Sequence, residues 1–175
     1  MFNFFFYLGI ILAVTSVYVN NKEMNWKATR NYFSLLGVRK PNTSMIGKNL
    51  KPAKMPELFN GALVSMAIHF YFLARQSGTW LSYGLAILLA AVGIFDLGTF
   101  PRGHVIVTGL MLFYMMFMLI TLWTEGLSNF VPFAILLSML FLTLPPEVFH
   151  LYQTRIDIVF QKLSIPGFLI YTAVR

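Results

Sequence analysis

The chain has 175 residues, of which 58% are hydrophobic and 11% are charged, whereas soluble proteins average about 45–50% and about 25%. This balance excludes an ordinary soluble domain and predicts a membrane protein. Cysteine is absent, which excludes disulfides, thiolate metal sites, thioether-linked haem and cysteine nucleophiles. The formal charge of +7 is interpreted as a signal for membrane topology and contact with anionic lipid, and not for nucleic acid.

Uncharged apolar runs recur along the chain, each close to the length of about 20 residues that a helix needs to cross a bilayer. They predict five membrane-spanning helices, and the alternating pattern of a membrane β-barrel is not seen. The five runs cover residues 2–19, 58–74, 76–95, 105–124 and 127–144. The sequence therefore predicts an all-α, polytopic transmembrane helix bundle that forms a single domain over residues 1–175.

The two ends of the chain need separate interpretation. The first run has no basic residue before it and no small-residue cleavage pattern before Asn20, so it predicts a retained helix and not a signal peptide. The last segment, residues 156–174, contains Gln161, Lys162 and Pro166. Because these residues make it a poor span, it is either a sixth, bent helix packed on its neighbours or a segment in the membrane interface.

Residues 20–57 form a long hydrophilic loop between the first and second predicted spans. The first part of the loop places aromatic and leucine side chains among basic residues and ends at Gly37, a pattern that predicts a short interfacial helix. The second part contains Pro41, Pro52 and Pro56 and predicts an irregular path. The loop carries eight of the thirteen Lys and Arg residues, namely Lys22, Lys27, Arg30, Arg39, Lys40, Lys48, Lys51 and Lys54.

The distribution of basic residues predicts the orientation of the chain in the membrane. Alternate threading of the spans places the long loop, the turn from Asp96 to His104 and the end of the fifth span on one side. The opposite side then carries Arg75 and, if the last segment spans, Arg175. Because short loops rich in Lys and Arg stay inside, the loop side is predicted to face the cytoplasm or matrix, with the N-terminus outside.

The same threading gathers ionisable residues at one end of the bundle. The predicted polar cluster consists of Glu57, Asp96, His104, Glu147 and His150. The basic residues predicted to contact anionic lipid headgroups are Arg102, Arg155, Lys48 and Lys51. His69 differs from all of these, because it lies near the middle of the second span, where a polar side chain needs a partner inside the bundle.

Each of these residues has a structural and a chemical interpretation, and the sequence leaves both open. Asp96 either caps the turn or pairs with Arg102, or else it binds a proton or a metal. His104 either anchors the start of the next helix or takes part in acid–base chemistry or metal binding. His69 is either a buried, hydrogen-bonded histidine, or a ligand to haem or chlorophyll, or part of a proton path.

Motifs for catalysis and cofactors are weak. A haem held by two histidines needs a second histidine at the depth of His69, and the sequence offers none. A metal site formed by Asp96, His104, Glu147 and His150 remains possible, although the spacings match no compact metal motif. A Gly-x-Ser-x-Gly elbow for serine catalysis is missing. The sequence therefore predicts structural lipids and no other cofactor.

A pattern of short motifs resembles a known family. Ser44 lies in the loop before the sequence Glu-Leu-Phe-Asn, and a Gly-Ile-Phe-x4-Phe-Pro turn is followed closely by His104 at the head of the next span. In these features residues 41–124 resemble the DRAM-like family of six-helix membrane proteins and its uncharacterised prokaryotic relatives. The resemblance implies a six-helix fold, an association with lipid remodelling, lipid asymmetry or autophagy, and matching positions at Ser44, Asn60, Pro101 and His104.

Three classes of function follow from these features. The first is a non-catalytic structural or accessory subunit of a multi-subunit integral membrane complex, because the chain is small and neighbours would order its long loop. The second is a lipid-binding or lipid-remodelling membrane protein. The third is a small membrane metalloenzyme or oxidoreductase component that uses the polar cluster. The predicted partners are other integral membrane subunits and anionic lipids.

Overall fold

The computed structural model describes residues 2–24, 36–40, 42–43, 49–50, 52–124, 165–166 and 168–169. In chain order these residues form helix α1 (Phe2–Met24), strands β1 (Asn42–Thr43) and β2 (Asn49–Leu50), and helices α2 (Pro56–Ser77), α3 (Trp80–Ile94) and α4 (Pro101–Thr124). The chain divides into two compact units, Met1–Met111 and Leu112–Arg175. The first unit contains α1, α2, α3 and the start of α4, and it is the unit that carries the site.

Helices dominate the described residues, as predicted. An apolar window long enough to cross a membrane occurs in each of α1, α2 and α4, so the prediction of a helical protein with segments of membrane-spanning length and apolarity is confirmed. The predicted fifth span, residues 127–144, lies outside the described residues, and so do most of the last segment and most of the predicted interfacial helix. Strands β1 and β2, of two residues each, pair antiparallel in the part of the loop for which the sequence predicts an irregular, extended path.

The third predicted span is shorter in the structure than in the sequence pattern. Gly78 ends α2 in the left-handed backbone conformation, with φ at 69°, and its N–H donates to the carbonyl oxygen of Ala74. Glycine adopts this conformation without the steric penalty of a side chain, so the apolar run that begins at residue 76 is divided between two helices. Helix α3 therefore has 15 residues, Trp80–Ile94, and not the predicted range of 76–95.

Helices α1 and α4 expose apolar stripes along their length. On α1 the exposed large apolar side chains are Phe4, Tyr7, Ile11, Val14 and Tyr18. On α4 they include Ile106, Leu110, Phe113, Phe117 and Ile120. The spacing of three and four residues places each set on one helix face. Such a face is a large apolar patch in water but is solvated by lipid chains, which supports a location in the membrane.

Helix α2 lies at the centre of the first unit and packs against both α1 and α3. The Ser65 hydroxyl donates a hydrogen bond of 2.7 Å to the carbonyl oxygen of Phe5. The rings of His69 and Phe6 lie 5.1 Å apart. Further along α1, Leu12 lies against Gly61, nearer the start of α2. The contacts move back along α2 as α1 advances, so these two helices run antiparallel.

Helices α2 and α3 are also antiparallel. The rings of Tyr71 and Tyr83, late in α2 and early in α3, lie 5.7 Å apart. At the other end, Gly93 lies against Leu63 and the backbone of Asn60. The end of α1, the start of α2, the end of α3 and the start of α4 therefore lie at one end of the first unit, which we call the loop end.

Alanine at Gly93 is expected to destabilise the contact between α2 and α3. A Cβ atom there would lie 2.9 Å from the carbonyl oxygen of Asn60 and 3.3 Å from Cβ of Leu63. Crowding of this kind costs about 1–3 kcal/mol, only partly offset by about 1 kcal/mol of helix propensity. The melting temperature in detergent should fall for Gly93→Ala. It should stay level or rise for the control Gly61→Ala, whose Cβ would meet only Leu12, at 3.8 Å. Equal melting temperatures for the two variants would contradict this packing.

Candidate functional site

The turn between α3 and α4, residues 95–100, holds the carboxylate of Asp96 in a buried position. Its side chain is 1% exposed. Oδ1 accepts hydrogen bonds from the backbone N–H groups of Gly98 at 2.9 Å, Thr99 at 3.0 Å and Arg39 at 3.2 Å. The first two bonds cap the turn, in the manner in which an aspartate stabilises its own backbone. The third bond joins the turn to the long loop.

The guanidinium of Arg39 also faces Asp96, but at longer range. Its Nη1 lies 3.7 Å from Oδ2 of Asp96, beyond hydrogen-bond distance, and the arginine side chain is 41% exposed. An ion pair with one exposed partner contributes at most about 1 kcal/mol. Of the interpretations that the sequence left open for Asp96, the turn cap is the one that the backbone hydrogen bonds form. The ionic partner of Asp96 is Arg39, whereas the sequence suggested Arg102.

The hydrogen bonds to Asp96 also set its acidity. Burial by itself raises the pKa of Asp96, but hydrogen bonds from Thr99, Arg39 and Gly98 stabilise the charged form and together hold the pKa below its ordinary value. A carboxylate with a lowered pKa stabilises the folded protein fully above its unfolded pKa, about 3.9, and this contribution is lost as the pH falls through the folded pKa.

We expect a stability loss on acidification that depends on Asp96. The melting temperature of the wild type in detergent should fall as the pH decreases below about 4, because protonation removes the charged acceptor. The Asp96→Asn variant has no proton to take up at this site and should show a shallower pH dependence. Glu57→Gln, which changes an exposed acid at the same end, should keep the wild-type slope. Identical slopes in the wild type and Asp96→Asn would rule out this role.

Residues 36–40 of the long loop, which we call the docked segment, pack onto the loop end. The side-chain amide of Asn60 donates to the carbonyl oxygen of Gly37 at 3.0 Å, in a buried contact. Val38 is fully buried and forms an apolar cluster with Leu97 of the turn. The docked segment is therefore held by α2 on one side and by the α3–α4 turn on the other.

The last part of the long loop, which leads into α2, is also held by hydrogen bonds. Ala53 donates its N–H to the carbonyl oxygen of Val38 at 2.8 Å. The backbone N–H of Lys54 donates to Oδ1 of Asn20 in α1 at 3.1 Å. Asn20 is itself held by a hydrogen bond of 2.9 Å from its Nδ2 to the carbonyl oxygen of Ser16. Contacts within the chain therefore hold these parts of the loop, whereas the sequence predicted that neighbouring subunits would order the loop.

His104 is buried in the first turn of α4 and bridges back to the end of α3. Its Nδ1 lies 2.6 Å from the carbonyl oxygen of Phe95. A carbonyl oxygen can only accept a hydrogen bond, so Nδ1 carries the proton, and in the neutral ring Nε2 is the acceptor nitrogen. The backbone N–H of His104 also donates to the carbonyl oxygen of Phe100 at 2.8 Å. This arrangement matches the prediction that His104 anchors the start of the helix.

An open groove of about 310 Å³ lies on the outside of the same turn. The rings of Phe95 and Phe100 are both exposed and meet edge to face, with centroids 5.8 Å apart. Arg102 adds a cationic side chain to this largely apolar surface. The groove is lined by Phe95, Thr99, Phe100, Pro101, Arg102 and Gly103.

The structure tests the predicted polar cluster only in part. Asp96 lies in the α3–α4 turn, and His104 bonds to that turn from the start of α4, whereas Glu57 is exposed in the first turn of α2. Within the part of the chain that the structure describes, Glu57 makes no hydrogen bond or ion pair with Asp96 or His104. In that same part, no group of three or more His, Asp and Glu side chains is arranged to bind a metal ion. The predicted residues that lie outside the described ranges are Glu147, His150, Arg155, Lys48 and Lys51.

His69 lies where the sequence predicted, inside the bundle and away from the loop end. It is buried between α1 and α2, with the Phe6 ring at 5.1 Å and the Phe70 ring at 5.3 Å. Thirteen residues separate it from the start of α2, or about 20 Å along the helix axis at 1.5 Å per residue. His69 is therefore remote from Asp96 and His104 and does not form one site with them.

Several residues that build the site were not among the predicted ones. Arg39 was counted only as one of many loop cations, and Asn20 marked only the end of a span. Asn60 had been noted only through the family resemblance. Asn60 lies three residues beyond Glu57, near the start of a predicted span. A polar side chain at the membrane boundary needs a hydrogen-bond partner, so this position could have indicated a contact with the loop.

Comparisons of the chain with protein-family models, with curated proteins and with solved structures found no match.

Proposed function

We propose that the chain is a non-catalytic, multi-pass membrane protein that binds anionic lipid headgroups at its loop end. The observation that carries this proposal is the docked segment, because the hydrogen bonds of Asp96 and Asn60 hold a basic part of the loop against the α3–α4 turn. Lys40, Arg39 and Arg102 are thereby placed with exposed side chains at one end of the first unit. Among the residues that the structure describes, the basic residue at the opposite end of the first unit is Arg75.

The chemistry of the polar cluster supports a structural role for its described members. Oδ1 of Asp96 accepts three backbone N–H groups, and its Oδ2 faces Arg39. Nδ1 of His104 donates a hydrogen bond to the carbonyl oxygen of Phe95. Oδ1 of Asp96 and Nδ1 of His104 are thus occupied by backbone groups, which supports a positioning role for these two atoms. Catalysis by the full predicted set, which includes Glu147 and His150, stays a prediction.

The membrane topology belongs to the same proposal. Helices α1, α2 and α4 cross the bilayer, and α3 crosses beside α2 because the two are packed along most of the length of α3. The basic loop end faces the cytoplasm or matrix, since Lys and Arg are retained on that side. The fifth span and a sixth span stay predictions. Membership of the DRAM-like family, with its association with lipid remodelling, also stays a prediction.

Lipid preference measured in nanodiscs tests this proposal. The double variant Lys40→Gln with Arg102→Gln should weaken the preference for phosphatidylglycerol over phosphatidylcholine by roughly tenfold or more, since each basic residue at an anionic surface contributes about 1 kcal/mol. Arg75→Gln removes a cation at the opposite end and should leave the preference unchanged. A wild-type protein without preference for the anionic lipid would refute the proposal.

An accessory subunit of a larger membrane complex is the second candidate. The observation in its favour is the small buried share of the outer helices: about a fifth of the apolar window is buried in α1 and in α4, against half in α2. The remaining apolar faces are wide enough to accept neighbouring helices. Native mass spectrometry of the protein extracted from its own membrane should then show a partner chain at fixed stoichiometry. A species that carries lipid but no partner chain would reject this candidate.

A further inference from the structure

The groove at the α3–α4 turn combines three features of a site for a phospholipid. Its walls are the exposed aromatic rings of Phe95 and Phe100 together with Pro101. Its cation is Arg102, which is exposed and forms no ion pair within the ranges that the structure describes. An apolar wall beside a single unpaired cation matches a molecule that has apolar chains and one phosphate.

The length of α3 sets the depth of this groove in the membrane. Its 15 residues span about 22 Å, whereas the hydrocarbon core of a bilayer is about 30 Å thick. In the site proposed below, this shortfall of about 8 Å is made up at the loop end by local thinning of the bilayer, so that the groove meets the border between headgroups and acyl chains.

Helix periodicity shows which way Arg102 faces. Ile106 and Leu110 follow it at intervals of four residues, so the three side chains lie on one face of α4. Ile106 is 61% exposed and Leu110 is 54% exposed, which makes this the face that meets lipid. Arg102 stands at the loop end of that face, where a long cationic side chain reaches the headgroup layer while its stem stays on apolar surface.

The other nearby cations are placed differently. Arg39 faces the carboxylate of Asp96, which already supplies a negative charge. Lys40 belongs to the docked segment and does not line the groove. Arg102 alone among the groove residues carries a charge that a phosphate can neutralise. The occupant that complements this groove is a lipid with a net negative headgroup.

We propose that the groove binds one anionic phospholipid. The Arg102 guanidinium pairs with the phosphate, and Phe95, Phe100 and Pro101 contact the glycerol backbone and the first acyl methylene groups. This inference rests on the proposed function and names the site at which that function is exercised.

Two variants test the site from opposite directions. Arg102→Gln removes the cation on an exposed side chain. Gly103→Leu fills the groove and leaves the cation in place, because a Cβ at Gly103 would lie in ordinary contact, 3.7 Å from Cδ1 of Phe95 and 3.8 Å from Cβ of Phe100. Arg75→Gln, at the opposite end of the first unit, serves as the charge-matched control away from the groove. Melting temperatures in detergent establish that each variant is folded.

The measurement is native mass spectrometry of the full chain, titrated with phosphatidylglycerol and, in parallel, with phosphatidylcholine. The wild type should retain one tightly bound phosphatidylglycerol, and both groove variants should bind it about tenfold more weakly or worse. The Arg75→Gln control should keep it. Millimolar inorganic phosphate should not displace it, because a free ion makes no contact with the apolar wall.

The outcomes distinguish a failure of the proposed groove site from a failure of the proposed lipid-binding function. A wild type that binds both lipids equally defeats the proposed function and this site together. A clear anionic preference that survives in both Arg102→Gln and Gly103→Leu leaves the function standing and overturns the groove. Displacement by inorganic phosphate also overturns it, since the groove would then bind a bare anion. If Gly103→Leu fails to fold, the result for Arg102→Gln decides.

Discussion

Replacing Asp96 by alanine is expected to lower the free energy of unfolding by about 3 kcal/mol, because three backbone N–H groups lose their common acceptor. The loss should be larger than for any change to the exposed partner, since the ion pair with Arg39 contributes at most about 1 kcal/mol. Asp96 thus acts mainly through hydrogen bonds to the backbone and only secondarily through its charge.

Graded substitutions separate these two contributions. Asp96→Asn keeps an acceptor oxygen and should lose less stability than Asp96→Ala. Arg39→Gln keeps its backbone N–H and should lose the least. Thermal unfolding in detergent gives the order directly. If Arg39→Gln were as destabilising as Asp96→Ala, the charge would dominate and the hydrogen-bond interpretation would be wrong.

Replacing Gly98 by alanine is expected to displace the docked segment from the turn. A Cβ at this position would collide with the backbone carbonyl oxygen of Lys40 and lie 2.9 Å from Cγ1 of Val38. The carbonyl belongs to the backbone and cannot rotate away as a side chain does, so the whole segment must shift. Overpacking against such a group costs about 3 kcal/mol and should also weaken the bond from Arg39 to Asp96.

Limited trypsin digestion detects this displacement, because cleavage after Arg39 requires the segment to leave the surface that holds it. Gly98→Ala should be cut there faster than the wild type and should melt at a lower temperature. The matched control is Gly109→Ala, since a Cβ at Gly109 would meet no atom within 4 Å. That control should be cut at the wild-type rate, and its melting temperature should stay level or rise, because alanine has the higher helix propensity. An unchanged cleavage rate in Gly98→Ala would show that the close contact is not required.

The positions of α1, α2 and α4 could be predicted because hydrocarbon imposes a simple rule of length and apolarity on every residue of a span. The shortening of α3 was harder to foresee. It follows from one backbone angle at Gly78, and this residue lies inside the uncharged run 76–95, which continues on both sides of it. A hydropathy pattern indicates whether a segment lies in lipid or in water. It does not indicate the residue at which one helix ends and the next begins.

The site shows a similar division. The cap formed by Asp96 is local, since its acceptor and two of its donors lie within three residues, so a turn cap could be named from the sequence as one of the alternatives. The donor from Arg39 is 57 positions away, and the bond from Asn60 ends on a backbone carbonyl oxygen 23 positions away. Backbone atoms are the same in every residue, so no feature of the sequence marks Gly37 as the partner.

Sidedness of labelling tests most directly whether the docked segment and the α3–α4 turn share one face of the membrane. The chain contains no cysteine, so single replacements Lys40→Cys, Arg102→Cys and Ser77→Cys each give one thiol for a membrane-impermeant maleimide. In intact cells or right-side-out vesicles, Ser77→Cys should react at once, and the other two only after permeabilisation. Reaction of Lys40→Cys and Arg102→Cys from opposite sides would contradict the common basic face on which the proposed lipid binding depends.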